Sequence, residues 1–186
     1  QKAVLFSGDI ASNILYGNPD GSEAEMTEAA TIAQATEFIE QKKKKYKSTI
    51  SQGGSNVSGG QKQRLSIARA IAKHPDVYIF DDSFSALDYK TDATLRAKLK
   101  EKTSESTVMI VAQRISTILH ADQIIVLDDG QIVGKGTHKE LLKNCEAYYQ
   151  IASSQLSENE LEEDLKEVES VSYTHLPSPR DSTSSR

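Results

Sequence analysis

Val77-Tyr78-Ile79-Phe80 is a short apolar run that ends abruptly in two carboxylates, Asp81 and Asp82. A continuous run of this length is expected of a strand buried in a parallel sheet. Acids at the carboxyl end of such a strand stand where α/β sheets place their ligands. The flanking rhythm agrees. Leu65 to Lys73 has helical spacing and stops at His74-Pro75-Asp76, and Tyr89 to Glu101 is helical again. Thr107 to Ala112 and Gln123 to Leu127 read as a second and a third buried strand. Asp129-Gly130 predicts a turn into a return strand, Gln131 to Gly134. Thr137 with Glu140 has capping-box spacing and opens a helix to about Ser153. Ser22 with Glu25 does the same for a helix to Gln41, in which Met26, Ala29, Ala30, Ala33 and Phe38 recur at spacings of three and four. Strands and helices alternating over short connections predict an α/β fold with a largely parallel sheet.

Composition narrows the function classes. A chain of 186 residues, 37% hydrophobic, holds about one core. Its formal charge is -5, from 22 basic and 27 acidic residues. Eight of the acids and three of the bases lie from Ser157 onward, which leaves 19 of each before it. A neutral globular part excludes a nucleic-acid-binding surface as the main theme. The basic run Lys42 to Lys45 with Lys47 reads as a solvated helix end. The lone Cys145 excludes an internal disulfide framework, points to a reducing compartment, and reads as a small core residue on a helix. His74 reads as a helix-end cap, and His120 and His138 as surface residues. No apolar run approaches the roughly 18 residues of a membrane span. The opening Gln1-Lys2-Ala3, without an initiator methionine or leader, suggests a segment of something longer. Residues 158–169 are acidic, with Leu161, Leu165 and Val168 spaced as in a fraying helix. Residues 171–186 hold nine Ser, Thr or Pro among sixteen, and are expected to be disordered.

Three elements carry chemistry. Ser58-Gly59-Gly60-Gln61 precedes an amphipathic helix: the glycines let backbone approach an anion, Ser58 caps the helix, and its N-terminus offers N–H groups and positive potential. By itself this is an ordinary N-cap. Asp81 and Asp82 suit holding Mg²⁺ through water and orienting or deprotonating an attacking water. For the pair alone, loop or cap acids are an equal alternative. The third element is order and spacing. Ser58 precedes Asp81 by 23 residues, Ser85-Ala86-Leu87-Asp88 follows directly, and a strand ends at Gln113, 32 residues after Asp81. This combined pattern resembles the nucleotide-binding domain of ATP-binding-cassette (ABC) transporters, of the exporter type, across residues 1–153.

The resemblance implies an incomplete P-loop NTPase (RecA-like) core with an α-helical subdomain over about residues 20–64, the whole spanning residues 1–156. It also implies roles residue by residue. Val57-Ser58-Gly59-Gly60-Gln61 matches the signature motif, which contacts the γ-phosphate of ATP held by a partner cassette. Gln1 falls at the Q-loop glutamine, which senses Mg²⁺ and the transmembrane part, and Phe6 to Ile10 with Asn13-Ile14 are similar to the exporter sequence after it. Asp81 matches the Walker B aspartate, a ligand of Mg²⁺, and Ser85 to Asp88 the D-loop, with Asp88 at the nucleotide. Residues 48–54 occupy the cross-communication loop but lack its glutamates. The catalytic glutamate is replaced by Asp82, shorter by about 1.5 Å, and a misplacement of about 1 Å can cost on the order of 10²-fold in rate. The switch histidine is replaced by Gln113, which never carries the imidazolium charge. Both changes beside an intact signature resemble the degenerate subunit of a heterodimeric exporter, head to tail with a second cassette.

The cofactors so implied are ATP and Mg²⁺. The partners are that cassette and a transmembrane domain upstream, and the location is the cytoplasmic face of a membrane. A second expectation is a regulatory subunit that binds nucleotide without hydrolysing it. A soluble cassette of DNA repair or translation would call for a coiled-coil insertion or a tandem cassette, and neither is in this sequence. No GxxxxGK[ST] loop occurs in these 186 residues. The stretch by itself is therefore expected neither to bind nor to hydrolyse ATP measurably, and to expose apolar surface.

Overall fold

The computed structural model describes residues 3–172, with side chains through Leu165. Gln1 lies outside the described residues, as does the tail from Tyr173 onward. The described residues form two compact units that divide between Val111 and Ala112, each with its own apolar cluster.

The first unit runs β1 (Gly8–Asp9), α1 (Ile10–Ile14), α2 (Glu23–Ile32), α3 (Thr36–Glu40), β2 (Thr49–Ile50), α4 (Gly59–Ala72), β3 (Val77–Asp81), α5 (Tyr89–Lys102) and β4 (Thr107–Val111). The capping box at Ser22 forms as expected: its hydroxyl accepts the Glu25 N–H, and the Glu25 carboxylate accepts the Ser22 N–H at 2.7 Å. The helix it opens is shorter than the spacing predicts. Gln34 takes a left-handed φ of 56° and separates α2 from α3. Tertiary contacts hold that break, because the Arg64 guanidinium donates to the Gln34 carbonyl at 2.8 Å and lies over the Phe38 ring.

Leu65, Ile67, Ala68, Ile71 and Ala72 of α4 are all buried in the first core. Near its far end, Arg69 reaches the N-terminal segment. Its guanidinium donates to the Asn13 carbonyl at 2.9 Å, Asn13 Oδ1 at 2.8 Å and the Val4 carbonyl at 3.1 Å, and lies against the Phe6 and Tyr16 rings. Asn13 is 1% exposed and fully engaged. Its Oδ1 also accepts the Phe6 N–H, and its Nδ2 donates to the carbonyls of Phe6 and Asp9.

The sheets are two-stranded pairs. β1 and β2 are antiparallel, and β3 and β4 are parallel with Val77 opposite Thr107 and Asp81 opposite Val111. The parallel pairing expected from the apolar runs is thus present at β3–β4. Its burial is one-sided: Tyr78 and Phe80 enter the core, whereas Val77, Ile79, Met109 and Val111 are each more than half exposed. The exposed apolar surface expected of this stretch is found there.

The second unit comprises α6 (Ile115–Ile118), β5 (Ile124–Asp128), β6 (Gln131–Gly136), α7 (His138–Asn144), α8 (Glu146–Ser153) and α9 (Glu158–Ser172). β5 and β6 form the expected hairpin over Asp129-Gly130, both at left-handed φ, which suits the twist of a two-residue connection. Gly134 is required for packing, since a Cβ there would lie 2.7 Å from Cys145 Sγ. Cys145 is buried, as expected, but it separates α7 from α8 with extended backbone. The acidic stretch from Glu158 is helical, and Leu161 is buried in the second core.

His138 corrects a sequence expectation. It is 4% exposed, not a surface residue. Its Nδ1 lies 2.7 Å from the Tyr148 hydroxyl and its Nε2 3.1 Å from Asp164, so α7, α8 and α9 meet at one imidazole. The sequence shows a polar residue just after a capping threonine; only the packing of α8 and α9 around it buries the ring.

Two outcomes follow from these buried polar groups. Asn13→Ala removes the acceptor of one Arg69 donor and of the Phe6 amide while the Arg69 bonds to the Asn13 and Val4 carbonyls remain, at a cost of about 1–3 kcal/mol read from urea unfolding monitored by circular dichroism. Tyr148 titrates at about 12 rather than 10.0, raised by burial and then by the Asp164 carboxylate. A raised value favours the protonated phenol, so its stabilisation is complete below pH 10 and is lost as pH rises from 10 to about 12. Thermal unfolding across that range shows the loss in wild type and a flatter profile in Tyr148→Phe.

Candidate functional site

The N-terminus of α4 is built by a second capping box. Ser58 has extended backbone, its hydroxyl accepts the Gln61 N–H, and Gln61 Oε1 accepts the Ser58 N–H, both at 3.2 Å. The side chains of Ser58 and Gln61 thereby hold each other. The first N–H groups of any helix have no partner within it and point outward. At Gly59 a Cβ would meet nothing within 4 Å, so the backbone there is open to a ligand. Gly60 differs: its Cβ would stand 3.1 Å from the Ala86 carbonyl. The two glycines, read alike from sequence, are small for different reasons. One faces open space, the other leaves room for a neighbouring turn.

Asp81 ends β3, and Asp82 follows in left-handed backbone with φ 48°. The Asp82 N–H still donates to the Val111 carbonyl at 3.1 Å, which prolongs the strand pairing by one bond. Aspartate tolerates this conformation better than most residues. The chain then turns through residues 83–87. Ser83 Oγ donates to the Asp81 carbonyl and Ser85 Oγ to the Asp82 carbonyl, while Phe84 and Leu87 are buried. Asp88 ends the turn as the N-cap of α5, accepting the Thr91 N–H at 3.0 Å, and its bonds to Thr91 hold its carboxyl below the usual range. Its carboxylate is thereby engaged as a helix cap. Gln63, a polar residue on α4, is 9% exposed and accepts the Ala86 N–H on Oε1 at 3.1 Å. Its spacing on the helix carries no signal of that contact.

Ser58, Gly59, Gly60, Gln61, Asp81, Asp82 and Asp88 therefore belong to one unit. Gln113 lies in the second, two residues after β4, exposed, its carbonyl accepting Gln155 Nε2 at 2.9 Å. Gln1 is not among the described residues. No group of three or more His, Cys, Asp or Glu able to cage a metal occurs among the described residues. Asp81 lines a cleft of about 210 Å³ together with Ser66, Ala70, Ile79 and Ser83. A single carboxylate there fits Mg²⁺, which is commonly held by one or two carboxylates, waters and substrate phosphates. The open backbone at Gly59 fits a phosphate in the same way.

The distinction between the glycines is measurable. Gly59→Ala adds helix propensity in open space and raises stability by up to about 1 kcal/mol. Gly60→Ala presses on the Ala86 carbonyl and falls below Gly59→Ala by at least about 1 kcal/mol in the same urea titration.

Residues 1–85 match the ABC transporter family. An ABC transporter ATP-binding protein of Mycobacterium tuberculosis is 48% identical over 158 residues, covering 83% of this chain and 27% of that protein. A protein of Staphylococcus aureus named for multidrug export, an ATP-binding/permease protein, is 41% identical over 155 residues, with the same shares covered. The chain thus spans about a quarter of the length of these relatives. In three dimensions it is similar to a bacterial Atm1-family ABC exporter with ATP bound, at a TM-score of 0.81 and 35% identity over 85% of this chain and 28% of the other. The open helix start, the acidic strand end and these likenesses together place the chain in the ABC transporter family, as part of an exporter-type nucleotide-binding domain.

Proposed function

We propose that this chain is part of the ATPase machinery of an ABC exporter, paired head to tail with a second cassette and presenting the start of α4 to ATP held by that partner. The observation that carries this reading is the rigid capping box at Ser58 beside the open backbone of Gly59. Preorganised N–H donors at a helix start favour the charge that develops on a transferring phosphoryl group. They need no reorganisation when the reaction occurs.

The chain's own acidic pair makes a slower site. Asp81 is the residue that would hold Mg²⁺, whose chemistry is to neutralise the phosphate charge. Asp82 takes the place of the water-orienting group, but its carboxylate is one methylene closer to the backbone than a glutamate's. Gln113 offers an amide in place of an imidazole. The pairing is therefore asymmetric: a good surface given to the partner's site and an impaired site of its own. The S. aureus relative's name joins ATP binding to a permease, and by that likeness the chain sits at the cytoplasmic face of a transmembrane permease. No described helix is long and apolar enough to cross a membrane itself.

The test is steady-state ATP hydrolysis by the full-length exporter with its partner in lipid nanodiscs. Ser58→Ala lowers the rate by at least about tenfold, because it loosens donors aimed at the reacting phosphate. Asp82→Asn changes it by less than about twofold, because that site contributes little turnover. The reverse order of effects would assign the working site to Asp82 and end the asymmetric reading. Undiminished nucleotide binding with no hydrolysis sensitive to either change would favour a regulatory subunit instead.

A further inference from the structure

We propose that Gln63 is a positioning residue that locks the turn after Asp81-Asp82 to the helix start at Ser58, so that the two move as one body during ATP hydrolysis. The proposal rests on the reading of the site given above.

Two contacts converge on Ala86 and a third on its neighbour Leu87. Its N–H donates to Gln63 Oε1 at 3.1 Å. Its carbonyl lies where a Cβ on Gly60 would stand 3.1 Å away. Leu87, next in sequence, is buried, and its Cδ2 lies 4.0 Å from that same Cβ position. One peptide thus has its donor held by the first turns of α4 and its acceptor packed against them. Gln63 lies two residues beyond the capping Gln61, and Ala86 lies four residues beyond Asp82. The span from helix cap to acidic pair is bridged by this side-chain hydrogen bond, the close approach of Gly60 to the Ala86 carbonyl and the nearby Leu87 side chain, and Arg64 of α4 is attracted to Asp88 at the end of the turn.

Gln63 is buried, so its amide has little competition from water, and losing it leaves the Ala86 N–H to find another partner. Within the turn, the remaining side-chain bonds, from Ser83 and Ser85, run back to Asp81 and Asp82 and hold nothing to α4. Without Gln63 the turn stays folded on Phe84 and Leu87 but gains freedom relative to Ser58. Displacements of that kind cost turnover rather than binding.

The experiment is ATP hydrolysis by the full-length paired exporter in nanodiscs, with kcat and KM resolved and Tm recorded. Gln63→Leu removes the acceptor at similar volume and lowers kcat about tenfold, with KM for ATP within about twofold. Gln63→Glu keeps an oxygen in reach of the Ala86 N–H and retains kcat within about threefold. Should Gln63→Leu fail to fold, Gln63→Asn, whose amide falls short of Ala86, replaces it with the same expectation. Unchanged kcat in Gln63→Leu or Gln63→Asn overturns the proposal, and so does an equal loss in Gln63→Glu. If Ser58→Ala is also without effect, the parent reading falls with it; if Ser58→Ala is impaired while Gln63→Leu is not, only the role of Gln63 falls.

Discussion

Helix α4 reaches other parts of its unit through polar side chains at three levels along its length. Gln63 takes the turn after β3, Arg64 takes the break between α2 and α3, and Arg69 takes Asn13 and the N-terminal segment. Each bond is to backbone or to a buried amide. Each therefore satisfies a group that would be costly to leave unpaired away from water. The apolar side of the same helix fills the core. These bonds and the buried apolar side together set the position of the helix N-terminus and of the open backbone at Gly59.

The three polar residues, Gln63 buried and Arg64 and Arg69 half-buried, separate two kinds of stabilisation. The apolar contacts of Leu65, Ile67 and Ile71 are non-directional and tolerate small shifts. The guanidinium of Arg69 is directional: its donors fit carbonyls and an amide oxygen while its faces lie against Phe6 and Tyr16. Burial lowers its pKa, and these partners offset the desolvation that does so. The second unit uses the same device on a smaller scale, with His138 between Tyr148 and Asp164. In both units a buried polar side chain, rather than a longer apolar stripe, fixes which elements meet.

The bare sides of the sheets show the limits of local pattern. Val77 to Phe80 is apolar at every position, which predicts cover on both faces. Tyr78 and Phe80 are covered within the first unit, and Ile79 is 67% exposed. In the second unit, Ile125 and Leu127 stand on the open side of the hairpin in the same way. The chain covers 27–28% of the length of the proteins it matches, and an apolar residue on a strand states only that a cover is needed. It does not state which segment supplies it.

The sequence by itself determined the local starts and stops. Capping boxes at Ser22, Ser58 and Thr137, the stop at His74-Pro75 and the hairpin turn at Asp129-Gly130 all depend on residues within four positions of each other, so spacing alone encodes them. The order Ser58, Asp81, Asp88 likewise exposed the family and the candidate site. Tertiary structure decided what depends on distant neighbours. Gln34 breaks a helix that its own spacing continues, because Arg64, thirty residues on, holds its carbonyl. His138 is buried because α8 and α9 close over it. Gly60 and Gln63 belong with Ala86, 26 and 23 residues away, through a hydrogen bond and a close approach that no periodicity in the chain records.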